Sequence, residues 1–205
     1  MDVPARVRLA LIVFATLSIL GASGVILFTK PDAATGVGAD GFAGALSATD
    51  IPVRDFGLRD QDGKPASLGE YRGRVVVLTF MYSTCQDTCP VTAQTIRGAL
   101  DQVGHDVPVL AVSVDPAHDT RDTAERFLVK QGMSAGRMRF LLGTRVQLAP
   151  IWKAYGIQPQ GKGFEHTAYV AVLDQTGRQR VAFTIDHLTD RDLAHDIRKL
   201  EASPS

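Results

Sequence analysis

Cysteine is scarce in this chain, and neither sign of charge is in excess. Of the 205 residues only two are cysteines, Cys85 and Cys89, and they lie four positions apart. A domain stabilised by several disulfides needs more cysteines along its length, so this pair indicates one local site instead. Lysine and arginine together number 22, as do aspartate and glutamate. This balance gives no support to a nucleic-acid partner, which requires a clustered basic excess.

The one long uncharged run stands near the N-terminus. Leu9–Phe28 contains twenty residues without a charge, and a helix of that length crosses a bilayer core of ~30 Å. A cleavable signal peptide has a shorter apolar stretch, of ~7–15 residues, although the small residues at 22–24 leave cleavage open. We therefore predict an N-terminal transmembrane helix that makes residues 1–30 a membrane anchor.

The charges that flank this run predict its orientation. Arg6 and Arg8 precede it, and the positive-inside rule keeps such residues in the cytoplasm, so that everything after Lys30 is exported. No long transit peptide rich in arginine and serine comes before the anchor. We predict a single-pass protein of the bacterial inner membrane whose domain faces the periplasm.

The residues after the anchor divide into a linker and a folded domain. Residues 31–50 are rich in Gly, Ala, Thr and Asp without apolar periodicity, which predicts a flexible linker. From residue 51 to 205 buried strands alternate with helices, and Val75–Tyr82 (VVVLTFMY) is typical of a strand buried on both faces. The order is βαβ, then a helix, then a β-hairpin and a last helix. This order predicts an α/β thioredoxin-like fold, with a mixed central sheet flanked by helices.

Apolar periodicity and turn residues predict the bounds of the individual elements. Strands are predicted over residues 75–82, 107–114, 139–142, 167–173 and 180–185, and a short hairpin turns at 60–63. Helices are predicted over 90–103, 120–131, 146–155 and 190–201.

Both cysteines follow the first buried strand, in the segment YSTCQDTCP. Ligands of open α/β sheets bind just outside the carboxyl ends of strands, and a helix N-terminus there stabilises a thiolate. If the segment coils helically, the four-residue spacing of Cys85 and Cys89 lets both sulfur atoms face one soft metal ion. With modest adjustment it also permits a disulfide.

A third ligand is needed to complete a metal site, and His166 is the candidate. It precedes a strand that we expect to run antiparallel to the first one, so that it starts where the first one ends. A set of two cysteines and one histidine selects Cu(I), and the imidazole keeps Cu(II) acceptable. The alternative is that His166 is a surface or core histidine at a strand end.

Three motifs resemble signatures of the SCO/SenC family of copper chaperones. They are the hydrophobic strand with Cys-x-x-x-Cys-Pro at 75–90, Ser-Val-Asp-Pro at 113–116 and Glu-His-Thr at 165–167. They occur in the family's order, and the resemblance extends over residues 52–200. It implies a thioredoxin-like fold, an N-terminal membrane anchor and copper ligation by Cys85, Cys89 and His166.

The same resemblance implies a function and partners. It implies delivery of copper to the dinuclear copper site of cytochrome c oxidase, with the copper-bearing subunit of that enzyme as partner and a second copper chaperone as a further one. Some family members are regarded as thiol reductases, so the resemblance leaves the mechanism open.

The alternative function is a thiol–disulfide oxidoreductase that keeps the copper-ligand cysteines of the target reduced. Against it, the spacing is Cys-x-x-x-Cys rather than Cys-x-x-Cys. In addition, His166 and Thr167 stand where thioredoxins carry a cis-proline. A peroxidase ranks below both, because no arginine lies within ten residues before Cys85 or six after Cys89. Whether the protein is an enzyme therefore stays open, with the metallochaperone favoured.

Two aspartates near the motif have competing interpretations. Asp115 either makes a turn at the end of its strand or supplies a carboxylate beside the metal loop that tunes the ligands. Asp87 lies between the cysteines and is expected to cap the helix, with tuning of the site as the alternative. The four other histidines are expected at the surface: His105, His118, His187 and His195.

Overall fold

Eight strands and four α-helices occur in the part of the chain that the computed structural model describes, namely residues 37–46, 57–161 and 169–203. The strands are β1 Ala45–Leu46, β2 Leu58–Arg59, β3 Pro65–Ala66, β4 Val76–Met81, β5 Val109–Ser113, β6 Arg139–Leu141, β7 Tyr169–Leu173 and β8 Gln179–Thr184. The helices are α1 Thr88–Val103, α2 Arg121–Gln131, α3 Arg145–Ala154 and α4 Asp190–Ala202, with short 3-10 helices at Leu68–Tyr71 and Ile185–His187.

The main sheet has six strands in the order β1-β8-β7-β4-β5-β6. Strands β4, β5 and β6 are parallel, whereas β7 is antiparallel to β4 and β8 is antiparallel to β7. The mixed sheet, the βαβ unit and the C-terminal hairpin were all predicted from the sequence and are confirmed. The direction of β7 matters most for the site, because β7 begins beside the end of β4.

The predicted hairpin at residues 60–63 is also present, as β2 and β3. It extends the edge of the sheet through Arg59, whose carbonyl accepts the Leu142 N–H at 2.7 Å. Arg139 on β6 holds the hairpin in place, since its Nε donates to Asp60 Oδ2 at 2.8 Å and its Nη2 donates to Pro65 O at 2.6 Å. Asp60 is 2% exposed, so this ion pair is shielded from water.

Side chains alternate between the two faces of β4, because successive residues of a strand point to opposite sides. Val77 and Met81 pack under α1, α2 and α4. Val76, Leu78 and Phe80 pack on the opposite face against α3. Both faces are therefore covered by helices, which explains why the strand is an unbroken apolar run.

Residues 37–46 differ from the flexible linker predicted over 31–50. Phe42 is buried in the core under α4, and the backbone N–H groups of Ala43 and Gly44 each donate to the carboxylate of Asp196 at 2.9 Å. A Cβ atom on Gly44 would lie 2.3 Å from Val181 Cγ1, so the close approach requires glycine. Composition predicted a linker because these contacts come mainly from one aromatic side chain and two backbone N–H groups. Backbone N–H groups leave no trace in the residue types, and one aromatic residue makes no apolar pattern. The rest of the predicted linker lies outside the described residues.

In the three described ranges no helix is both long enough and apolar enough to cross a bilayer. The predicted anchor, Leu9–Phe28, lies outside those ranges.

Candidate metal centre

The two cysteines lie at the junction between β4 and α1. We call residues 82–87 the cysteine loop. Cys85 belongs to this loop, and its backbone N–H donates to Tyr82 O at 3.3 Å, while Cys89 is the second residue of α1. The side chains are nearly closed off from solvent, with residue exposures of 5% for Cys85 and 2% for Cys89.

The sulfur of Cys85 contacts the first turn of α1. The Cys89 N–H donates to Cys85 Sγ at 3.4 Å, and Thr88 Oγ1 lies 3.9 Å from the same sulfur. Neither cysteine is in a disulfide. The expectation that the pair lies at a helix N-terminus is confirmed, and the contact places a sulfur where the helix carries its partial positive charge.

The two thiols have opposite pKa shifts, because they share a proton. A hydrogen bond from the Cys89 side chain lowers the pKa of Cys85 to about 4, and the backbone N–H groups of Asp87 and Cys89 act in the same direction. The same side-chain bond, together with burial, raises the pKa of Cys89 far above its ordinary value. The opposite shifts favour one thiolate, at Cys85, beside one thiol, at Cys89. A thiolate is the form of cysteine that binds metals and attacks disulfides.

Asp87 does not cap α1 with its side chain, although that was the favoured interpretation. It occupies the N-cap position, but its carboxylate makes no capping hydrogen bond. Its backbone has φ −122° and ψ −92°, away from the extended conformation in which a cap side chain reaches back to the helix. What Asp87 supplies is its backbone N–H, which helps to lower the pKa of Cys85.

Asp115 makes the turn after β5. Its carbonyl oxygen accepts the N–H groups of His118 at 3.1 Å and Asp119 at 2.9 Å. Its carboxylate Oδ2 lies 2.7 Å from Nδ1 of His118, an exposed side chain. The turn interpretation is thus confirmed, and the tuning role stays a prediction. The surface positions expected for the four other histidines are also confirmed: His105, His118, His187 and His195.

A buried carboxyl that sequence reasoning did not single out supports the cysteine loop. Asp119 is 8% exposed, and its Oδ1 accepts the backbone N–H of Ser83 at 2.7 Å and the Ser83 hydroxyl at 2.6 Å. Its Oδ2 accepts the hydroxyl of Ser113 at 2.5 Å. Burial raises the pKa of the Asp119 carboxyl, although the serine bonds act in the opposite direction. In the sequence Asp119 stands beside Thr120, the actual N-cap of α2, and so looks like part of a helix start.

A cavity of about 1030 Å³ opens beside the cysteine loop. Residues from four segments of the chain line it, among them Tyr82, Thr84, Asp115, Arg145 and Gly161. The carboxyl ends of β4 and β5 therefore meet at one concave surface, as expected for neighbouring parallel strands.

His166 lies outside the described residues, so its role as a ligand stays a prediction. The residues on both sides of this gap adjoin the site. Gly161 lines the cavity beside Tyr82, and Tyr169 begins β7, where its carbonyl accepts the Thr79 hydroxyl at 3.2 Å. Within the ranges that the structure does describe, no cluster of three or more His, Cys, Asp or Glu side chains could hold a metal ion.

Comparison with curated proteins gives relatives of known family. The chain is 31% identical over 94 residues to the SCO1 protein homolog of Bacillus subtilis, an alignment that covers 44% of this chain and 49% of that protein. It is 35% identical over 79 residues to protein SenC of Rhodobacter capsulatus, which covers 37% of this chain and 34% of that protein. The chain thus spans about half, or less, of the length of these relatives.

Solved structures support the fold. Bradyrhizobium japonicum ScoI with copper bound matches with a TM-score of 0.61 and 27% identity, over 72% of this chain and 98% of that one. Apo Sco1 from Thermus thermophilus matches with a TM-score of 0.63 and 26% identity, over 78% of this chain and 96% of that one. The thioredoxin-like fold predicted from the sequence is confirmed.

The family itself is shown by its sequence profile. The SCO1/SenC profile matches residues 45–202, which include β1, the cysteine loop and all four helices that the structure describes. The chain therefore belongs to the SCO1/SenC family.

Proposed function

We propose that this protein is a copper metallochaperone that binds one copper ion through Cys85, Cys89 and His166. It delivers the ion to the dinuclear copper site of cytochrome c oxidase, and its partners are the copper-bearing subunit of that enzyme and a second copper chaperone. The observation that carries the proposal is the cysteine pair itself, in which the Cys89 N–H donates to Cys85 Sγ at 3.4 Å. Relatives add support, since one solved structure of the family holds copper.

The chemistry of the pair suits a soft cation. Thiolates select Cu(I) over harder ions, and the low pKa of Cys85 supplies one thiolate at neutral pH. The second thiolate forms when Cys89 gives up its proton on binding. Both sulfurs are buried, so few water molecules compete with them for the ion.

Chain connectivity supports His166 as the third ligand. It lies three residues before Tyr169, so its Cα is at most about 11 Å from that of Tyr169. Tyr169 begins the strand that pairs with β4, whose last residues lead into the cysteine loop. We therefore expect an imidazole three residues upstream to lie at the edge of the sheet where the cysteine loop begins. The Asp115 carboxylate, which lines the same cavity as Tyr82 and Thr84, completes the proposed surroundings.

The test is copper stoichiometry and ligation in the full chain, reduced, solubilised in detergent and loaded anaerobically with Cu(I). We expect one copper per chain with two sulfur neighbours and at least one nitrogen neighbour in X-ray absorption. Cys85→Ser should abolish tight binding, and His166→Ala should remove the nitrogen contribution, with His187→Ala as the matched control. No stoichiometric copper in the wild-type protein would end the copper proposal.

The alternative function is thiol–disulfide exchange, and the lowered pKa of Cys85 favours it, because a thiolate is the attacking form. The two functions differ at His166. If copper transfer is the function, His166→Ala weakens copper binding severely and leaves dithiol–disulfide cycling of Cys85 and Cys89 intact. Equal loss of both activities would show that His166 is structural.

The membrane anchor belongs to the same proposal. Leu9–Phe28 would fix the protein in the bacterial inner membrane as a single span, with the domain from residue 51 to 205 in the periplasm. Protease added to spheroplasts should digest the domain without lysis. Protection of the domain until the membrane is broken would place it in the cytoplasm and contradict this orientation.

A further inference from the structure

The buried carboxyl of Asp119 connects three segments that meet behind the cysteine loop. Asp119 itself lies between β5 and α2, and it bonds to Ser83 in the loop and to Ser113 at the end of β5. Ser83 Oγ also lies 2.8 Å from Thr123 Oγ1 in the first turn of α2. The loop is thereby tied to two elements that carry none of the proposed ligands.

Because of its position in the loop, Ser83 transmits the hydrogen bonds of Asp119 to Cys85. Ser83 is two residues before Cys85, and Asp119 accepts both its backbone N–H and its hydroxyl. The backbone bond fixes the direction in which the chain leaves β4. That direction determines whether Cys85 Sγ reaches the N–H of Cys89, which it does at 3.4 Å.

We propose that Asp119 is a positioning residue of the copper site, which holds Ser83 so that Cys85 Sγ stays at the N-terminus of α1. Asp119 bonds to Ser83 and Ser113, and it acts on Cys85 through the loop. The inference rests on the proposed copper site, and it predicts that loss of the hydrogen-bond acceptor at residue 119 loosens the loop and weakens copper binding together.

Two variants separate the hydrogen-bond acceptor from packing. Asp119→Leu keeps the branched shape in a larger apolar side chain and removes every acceptor, which leaves the N–H of Ser83 and the hydroxyl of Ser113 without this partner. Asp119→Asn keeps an acceptor for Ser83 N–H, and its amide can donate to the Ser113 hydroxyl. Asp122→Leu is the matched control, because Asp122 is an exposed residue of the same helix start.

Two measurements on the full chain in detergent report the effect. The first is hydrogen exchange of the metal-free protein by mass spectrometry, compared between peptides of the cysteine loop and peptides of β4 and β5. The second is the Cu(I) dissociation constant from competition with a chromogenic chelator. Groups that orient metal ligands typically contribute about 10–100-fold to metal affinity.

For Asp119→Leu we expect faster exchange confined to residues 82–89 and a Cu(I) affinity lowered by about 10–100-fold. Asp119→Asn should restore both quantities to near the wild-type values, and Asp122→Leu should change neither. Unchanged exchange in the loop, or a uniform rise throughout the domain, would overturn the proposal and show that Asp119 only stabilises the fold.

If Asp119→Leu does not fold, Ser113→Ala decides the question, because it removes the 2.5 Å bond that fixes Asp119 from the side of β5. It should raise exchange in the cysteine loop and weaken copper binding by several-fold, and no effect on either would also overturn the proposal. A wild-type protein that binds no copper would refute the proposed function, while the exchange comparison would still decide the role of Asp119.

Discussion

The opposite pKa shifts of the two thiols predict how many protons copper displaces. Because the pKa of Cys85 is lowered to about 4 and that of Cys89 is raised, we expect the metal-free pair to hold one proton at pH 7.5, on Cys89. Binding of Cu(I) to both sulfurs therefore releases one proton. Two ordinary thiols with pKa values of ~8.5 would release about 1.8 protons at the same pH. A histidine of ordinary pKa, ~6.5, adds only ~0.1.

The sign of the pH dependence follows from this count. Because a proton competes with copper at Cys89 alone, the Cu(I) affinity should rise about tenfold for each pH unit between pH 7 and 8, or ~1.4 kcal/mol per unit. Below the lowered pKa of Cys85 the slope should steepen, since a second proton then competes for the site.

The assay is competition for Cu(I) with a chelator of known pH dependence, on the full chain in detergent. A plot of the logarithm of the association constant against pH should have a slope near one for the wild-type protein. In the Cys89→Ser variant Cys85 is the one remaining thiol, and the serine hydroxyl replaces the Cys89 side chain as donor to its sulfur, so its weaker binding should depend less steeply on pH than that of the wild-type protein. A wild-type slope near two would refute the reasoning, because both thiols would then be protonated in the metal-free protein.

Three further predictions concern stability. Asp196→Ala leaves two backbone N–H groups without their carboxylate, which should lower the free energy of unfolding by about 1–3 kcal/mol. Hydrogen exchange in residues 37–46 should become faster, and unchanged slow exchange there would contradict the described packing. Gly44→Ala forces a methyl group into a close contact and should lower the free energy of unfolding by about 1–3 kcal/mol. Gly57→Ala, where no atom of the described residues lies within 4 Å of the added carbon, should be nearly neutral in urea unfolding. Arg139→Met leaves the buried carboxylate of Asp60 without its cation and should cost about 3 kcal/mol, and a calorimetric loss below ~1 kcal/mol would mean that the ion pair is unimportant.

The sequence was most informative where neighbours along the chain determine the structure. The apolar run that became β4 has both faces covered by helices, so its composition alone marked it as a central strand. The cysteines could be placed because a helix start follows a strand end directly. The order of strands then implied that β7 runs back along β4, and the structure confirms this pairing.

The sequence was least informative where distant residues supply the contact. Asp119 and Ser83 are 36 positions apart, so neither residue indicates the other. The same holds for Phe42 and Asp196, which turn part of an apparent linker into a packed segment. The prediction that the Asp87 side chain caps α1 was wrong for a different reason. The backbone conformation of Asp87, which composition does not reveal, keeps its side chain away from the first turn of the helix.

The near-complete burial of the two sulfurs has a consequence for which molecules can take the metal. With exposures of 5% and 2%, Cys85 and Cys89 leave little room for a bulky thiol such as glutathione to attack, and exchange at sulfur depends on such access. We therefore expect copper held there to leave slowly even when a stronger scavenger is abundant in solution. A recipient that presents its own ligands along the cavity beside Tyr82 avoids this barrier. The rate of copper transfer would then depend on whether the recipient fits the cavity, and not only on how the copper affinities of the donor and the recipient compare.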